Sequence, residues 1–139
     1  MMIGSSILAT SCSQKSTNTM WNEQNPFFEV STLPYHTADF SKIKDKDLKP
    51  ALLQGMAEQL IEINQIANNP AVPTFENTLV EMEKSGQLLG RVSPVFGLLT
   101  GTNTNETLEQ VEEELSPLFA AHHDAIYLNQ KLFERVKTV

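Results

Sequence analysis

The sequence predicts an all-α protein of about four antiparallel helices, preceded by an extended irregular segment. Apolar residues recur at three- and four-residue steps over long windows, which is the period of an amphipathic helix. No window combines β-branched residues with strict alternation, the pattern of a half-buried strand. The length of 139 residues, with 40% hydrophobic and 19% charged side chains, is typical of one globular domain.

Residues 1–24 are predicted to lie outside the helical region. The stretch MMIGSSILATS leads directly into Cys12, the single cysteine of the chain. A short apolar run and small residues before a cysteine resemble a bacterial lipoprotein signal. This resemblance implies lipidation of Cys12, membrane anchoring through it, and a location on the periplasmic side of the bacterial cell envelope. The alternative is a free thiol on a cytoplasmic chain. The polar residues after Cys12 are typical of a tether.

The next part, residues 26–47, is predicted to be extended and irregular. Pro26 and Pro34 restrict their neighbours to extended backbone. The segment is nevertheless rich in aromatic and aliphatic side chains. A long irregular segment of this kind needs a surface to lie on, which either the helices of this chain or a partner would supply.

The first helix is predicted to begin with Asp47 as N-cap, to carry Pro50 in its first turn, and to end at Asn68-Asn69-Pro70. One apolar stripe runs along it. Its members are Leu48, Leu52, Met56, Leu60, Ile63 and Ala67.

Thr74 is predicted to cap the second helix, with its hydroxyl accepting a hydrogen bond from the N–H of Asn77. A stripe with 4,3,4,3 spacing is expected to begin with a buried Phe75. It continues through Leu79, Met82, Gly86, Leu89, Ser93, Phe96 and Thr100. The small residues Gly86 and Ser93 are expected to let another backbone approach closely. A kink is predicted between Gly90 and Pro94, before the helix ends at Gly101.

The third helix is capped either by Asn103 with Glu106 or by Asn105. It is predicted to continue through Pro117, although Ser116-Pro117 could also start a separate helix. Its stripe comprises Leu108, Val111, Leu115, Leu118, His122 and Ile126. Asn129 is predicted to cap a last helix, residues 130–139. That helix ends on an apolar stripe, which suggests truncation at the C-terminal end.

The residues alone indicate no catalytic or metal-binding site. His122 and His123 are adjacent, so on a helix their side chains diverge by about 100° and cannot readily share one metal. His122 is expected to be a half-buried stripe residue, and His123 to face solvent. The H-E-x-x-H motif is absent. The acidic groups, residues 112–114 and residues 81 and 83, are typical of solvated faces.

The charge and hydropathy of the sequence also limit the kinds of partner that the chain is expected to have. The formal net charge of -7 disfavours a nucleic acid as partner, because phosphate backbones are anionic. No stretch of the sequence approaches the roughly 20 apolar residues of a membrane-spanning helix.

Several motifs occur in a fixed order along the helical region. They are Asn25-Pro26-Phe27, Leu33-Pro34-Tyr35, Asn68-Asn69-Pro70, PTFENT (Pro73 to Thr78), Arg91-Val92, Glu114 to Pro117, Ile126 to Asn129 and Leu132 to Val136. Together they resemble the N-terminal region of the thimet oligopeptidase and peptidyl-dipeptidase family of zinc metallopeptidases, and its bacterial peptidyl-dipeptidases in particular.

The resemblance implies a zinc-dependent protease that cleaves short peptides in a deep channel when the protein is complete. The zinc ligands of the family and its water-activating glutamate lie downstream of the matching region, so no catalytic or metal residue is carried over. Residues 25–139 would form one helical wall, with the remainder of the peptidase chain as partner. The chain alone is then expected to bind no zinc and to be inactive. The alternative is a non-enzymatic helical interaction module, lipid-anchored through Cys12.

Overall fold

The structure, a computed structural model, describes residues 21–139, and these residues form the predicted all-α fold. The helices are α1 (Asp45–Ala67), α2 (Glu81–Lys84), α3 (Gln87–Thr102), α4 (Glu106–Tyr127) and α5 (Gln130–Thr138). A π-helical turn, Phe75–Val80, leads directly into α2, and a 3-10 turn, Pro34–His36, lies in the irregular segment. Residues 21–139 contain no strand, and no helix among them is long and apolar enough to cross a membrane.

The long helix α1 is central, and α3 runs antiparallel to it. Near the end of α1, Glu62 Oε2 accepts a hydrogen bond of 2.7 Å from the N–H of Gly86, just before α3 begins. About two helical turns earlier in α1, Gly55 lies against the backbone of Leu89. A Cβ at Gly55 would approach the Leu89 nitrogen to 2.8 Å, so only glycine permits this crossing without movement.

The helix α4 packs on α1 in the parallel direction. The Asn105 side chain donates a hydrogen bond of 2.8 Å to Asp45 at the start of α1. Further along both helices, Lys49 pairs with Glu114.

Two apolar clusters stabilise the bundle. The larger one joins the first half of α1 to α3, to the first half of α4 and to Phe27 of the irregular segment. Its least exposed members are Leu48, Leu52, Val92, Leu108 and Leu115. The smaller cluster lies at the other end of α1 and contains Ile63, Ile66, Ala67 and Leu132.

The prediction of Asp47 as the N-cap of α1 is wrong. The helix begins at Asp45, and Asp47 is its third residue rather than its N-cap. From that position the Asp47 carboxylate reaches back and accepts a hydrogen bond of 2.9 Å from the N–H of Lys44. Pro50 consequently lies in the second turn, inside the helix and buried.

The prediction of one long second helix with a kink between Gly90 and Pro94 is wrong. The break lies at Gly86, whose φ of 71° is left-handed, while Pro94 lies within a continuous α3. The left-handed residue resets the helical phase, so Leu88 and Val92 are buried where the stripe predicted Leu89 and Ser93. At Gly86 the close neighbour is the side chain of Gln59, not a backbone.

The expectation that Phe75 begins the buried stripe is also wrong. Phe75 is 58% exposed, whereas Thr78 is fully buried. The π-helical turn has more residues per turn than an α-helix, so α-helical spacing does not predict which of its side chains point inward.

The last two helices follow their predicted caps. The side chain of Asn105 accepts a hydrogen bond of 3.0 Å from the N–H of Leu108, and that of Asn129 accepts one of 3.0 Å from Leu132. The helix α4 runs unbroken through Pro117.

Candidate functional site

The connection between α1 and α2, which includes PTFENT, is held by a buried arginine from α5. Arg135 is 7% exposed. Its Nη1 donates to the carbonyl oxygens of Asn69 (2.7 Å) and Ala71 (3.0 Å). Its Nη2 donates to Asn77 Oδ1 (2.9 Å) and Thr78 Oγ1 (3.4 Å). We call Arg135 and these four acceptors the clasp.

All four acceptors of the clasp are neutral groups. Within residues 21–139 Arg135 makes no ion pair, and its buried Nε has no hydrogen-bond partner there. The guanidinium therefore acts as a rigid fork that fixes an irregular backbone, as suits its planar set of donors.

Asn77 is the centre of the turn that the clasp holds. Its Oδ1 also accepts hydrogen bonds of 2.9 Å from Thr74 N and from the Thr78 hydroxyl, and its Nδ2 donates to the carbonyl of Val72 at 2.9 Å. Thr74 Oγ1 accepts a hydrogen bond of 3.1 Å from Asn77 N, the contact expected of an N-cap. These hydrogen bonds satisfy the polar groups of the turn internally, so the geometry is that of a structural corner.

The irregular segment docks on the helices through its first residues. Asn25 is 7% exposed, and its side chain donates a hydrogen bond of 2.9 Å to the carbonyl of Asp47. Arg91 Nη2 lies 3.4 Å from the carbonyl oxygen of Phe27, to which it donates. The helices of this chain thus supply the expected surface for Asn25-Pro26-Phe27.

Most of the large apolar side chains in the rest of that segment are exposed, although Ile43 packs against the larger apolar cluster. Tyr35 is 98% exposed, and both Tyr35 and His36 have positive φ angles, of 58° and 56°. A cleft of about 650 Å³ separates this part of the segment from α3. The other exposed side chains are Phe28, Val30, Leu33 and Phe40.

A second cleft, of about 610 Å³, lies where α4 and α5 meet the smaller apolar cluster. We call it the α4–α5 groove. Its apolar lining comprises Ile63, Met82, Ile126, Tyr127, Leu132, Phe133 and Val136. Tyr127 is 72% exposed and Phe133 is 59% exposed.

The two adjacent histidines also line this groove. His122 is half-buried, and its buried Nε2 has no hydrogen-bond partner among the described residues. Burial, and secondarily the neighbouring His123, hold the pKa of His122 below its ordinary value. The exposed His123 ring stacks on Tyr127, with ring centroids 4.1 Å apart.

The geometry of residues 21–139 does not fit a zinc ion. No group of three His, Cys, Asp or Glu side chains in that part of the chain could hold a metal. Glu112 and Glu113 are solvent-exposed, and so is Glu114, whose hydrogen bond with Lys49 lowers the pKa of its carboxyl. Cys12 lies outside the described residues.

Comparison with known proteins gives clear relatives, although no family model matches the chain. Over 115 residues, 83% of its length, the chain is 44% identical to a dipeptidyl carboxypeptidase of Salmonella typhimurium. It is 43% identical over 115 residues to a dipeptidyl carboxypeptidase of Escherichia coli. The chain spans 17% of the length of each of these relatives.

Proposed function

Because this chain belongs to the peptidyl-dipeptidase family over its matched segment, we propose that residues 25–139 form the N-terminal helical wall of a zinc-dependent oligopeptidase. In the complete protein the activity would be hydrolysis of short peptides. The observation that carries the proposal is the identity of 44% to a dipeptidyl carboxypeptidase over 83% of the chain.

The role of the described residues in this proposal is architectural. The clasp holds the corner between α1 and α2 through a buried guanidinium, and the crossing at Gly55 sets the separation of α1 and α3. Zinc belongs only to the proposal for the complete protein, since residues 21–139 offer no suitable ligand set. The zinc ligands and the water-activating carboxylate would come from a part of the polypeptide outside the matched segment.

A chimera tests the proposal directly. The matched segment of the Escherichia coli relative is replaced by residues 25–139 of this chain, and peptide hydrolysis and zinc content are compared with those of the parent enzyme. We expect zinc content like that of the parent and turnover within about tenfold of it, which corresponds to about 1.4 kcal/mol in the activation barrier. A matched control carries Arg135→Ala in the same chimera, which should lower the yield of folded protein.

A folded, zinc-loaded chimera that hydrolyses no peptide would contradict the wall proposal. The isolated chain provides the complementary measurement, for which we expect neither stoichiometric zinc nor peptide hydrolysis. One zinc held per isolated chain, with cleavage blocked by a chelator, would also contradict it.

The envelope location is proposed on the sequence before Cys12. Expression of the full chain in a bacterial host should move it to the membrane fraction, because several acyl chains anchor a protein stably whereas one binds weakly. Cys12→Ser should release the chain into the soluble fraction. Equal solubility of the two proteins, both beginning at Met1, would favour the cytoplasmic alternative instead.

A further inference from the structure

The apolar stripe of α4 is fully buried only in its first half. Leu108 and Leu115, in the first half, are 1% and 0% exposed. Leu118 is 45% exposed although it continues the same spacing. The change comes from what lies opposite, because the larger apolar cluster covers α4 only as far as Leu115 and the partly buried Phe119.

The second half of the stripe, with the partly buried His122 and Ile126, leads into the α4–α5 groove. Tyr127 and Phe133 line the groove and are 72% and 59% exposed, and Leu128, next to Tyr127 in the sequence, is 77% exposed. Adjacent exposed side chains of this size are typical of an interaction surface rather than of scattered surface residues.

We infer that the α4–α5 groove is the docking face for a segment of the same polypeptide outside the matched region. This inference rests on the proposed function. The relatives are much longer than the matched part, which is 17% of their length, so ample chain is available to cover the groove. The docking segment would carry apolar side chains against Tyr127 and Phe133.

The lining of the groove favours such a segment over a short peptide. A free peptide carries a C-terminal carboxylate, for which Arg and Lys are the common partners. The lining residues include no Arg or Lys, and Glu83 is their only carboxylate. An internal segment has no terminal charge to neutralise and suits this lining better.

Cysteine labelling in the chimera described above tests the docking face. Phe133→Cys is introduced both in the chimera and in the isolated 139-residue chain, which also carries Cys12→Ser so that position 133 holds its single cysteine. Glu109→Cys on the solvated side of α4 is the matched control. Reaction with a maleimide is followed by mass spectrometry of the peptide that contains the new cysteine.

We expect labelling at position 133 to be at least about tenfold slower in the chimera than in the isolated chain, and labelling at position 109 to be similar in both. Equal rates at position 133 would overturn the inference. So would protection that appears only when a short peptide is added, because that result would make the groove a peptide site.

A second variant makes the test independent of cysteine chemistry. Phe133→Asp should lower the melting temperature of the chimera by several degrees and leave that of the isolated chain nearly unchanged. Equal effects in the two proteins would overturn the inference. A chimera that protects position 133 but is inactive would count against the proposed function alone, whereas an active chimera without protection would count against the docking face alone.

Discussion

The two faces of α5 differ in a way that reverses the usual rule for burial. Arg135 is 7% exposed, whereas Phe133, two residues earlier, is 59% exposed. The charged side chain is inside because the turn after α1 presents four oxygen acceptors to it. The aromatic side chain is outside because residues 21–139 place nothing over it. For these two side chains of α5, burial is therefore decided by the available partner and not by hydrophobicity.

Of the substitutions that test this difference, removal of the Arg135 side chain should lower the free energy of unfolding most. Arg135→Ala removes the donor of the carbonyl oxygens of Asn69 and Ala71 and one of the three donors to Asn77 Oδ1. Hydrogen bonds to a charged group contribute about 1.5–3 kcal/mol, so we expect a loss of about 3 kcal/mol in the free energy of unfolding. Arg135→Lys should recover part of this loss, because a single ammonium cannot reproduce the fork.

Urea unfolding of residues 21–139, followed by circular dichroism, measures these changes. An Arg135→Ala protein within about 0.5 kcal/mol of the wild type, the range of an ordinary surface substitution, would mean that the clasp contributes little.

Removal of the N-cap hydroxyl of Thr74, in the same corner, should lower the free energy of unfolding by a smaller amount. Thr74→Ala removes the hydroxyl that accepts from Asn77 N, and loss of an N-cap costs roughly 0.5–2 kcal/mol. The neighbouring Phe75→Ala serves as the matched control, because an exposed ring should contribute less than about 1 kcal/mol to the isolated chain. A larger loss from Phe75→Ala than from Thr74→Ala in urea unfolding would reverse the assignment of the two residues.

Shortening the Phe133 side chain, which faces the groove, should hardly change the stability of the isolated chain. Phe133→Ala should change its free energy of unfolding by no more than about 0.5 kcal/mol, since most of the ring is already in water. Leu132→Ala, beside it and 4% exposed, should cost roughly 2–5 kcal/mol. If the two substitutions proved equally costly in chemical denaturation, the face of α5 that carries Phe133 would be packed rather than open.

The smallest effect concerns pH. Burial, with a smaller contribution from His123, lowers the pKa of His122 from its ordinary value of 6.5, so between that value and the folded pKa the unfolded chain binds more protons. The free energy of unfolding should therefore fall as pH is lowered through about 6.5, and the fall should stop below the folded pKa. His122→Gln should flatten this part of the profile. Urea midpoints measured at pH 5.5 and 7 would contradict the prediction if the two proteins changed in parallel.

Local signals predicted much of this structure. The Asn105 and Asn129 caps follow from residues within one helical turn, and the all-α class and the continuity of α4 through Pro117 follow from apolar spacing along the chain. The break at Gly86 could not be read in that way, because a partner from α1, the Glu62 carboxylate, accepts its N–H.

The clasp was missed for a related reason. Arg135 stands between Leu132 and Val136, and an arginine in such a place is most often solvated. Its acceptors are more than 55 positions away, at sequence separations of 57 to 66. Three of the four acceptors belong to the motifs Asn68-Asn69-Pro70 and PTFENT. No local pattern in α5 indicates that these acceptors contact Arg135.

The large sequence separation within the clasp has a consequence during synthesis. A ribosome adds about 5–20 residues per second and releases the N-terminal part of a chain first. The turn at residues 69–78 therefore emerges well before Arg135, and α1 and α3 can pair while that turn is still open. Closure of the corner has to wait until α5 has left the exit tunnel, so among the contacts within residues 21–139 it is one of the last that can form.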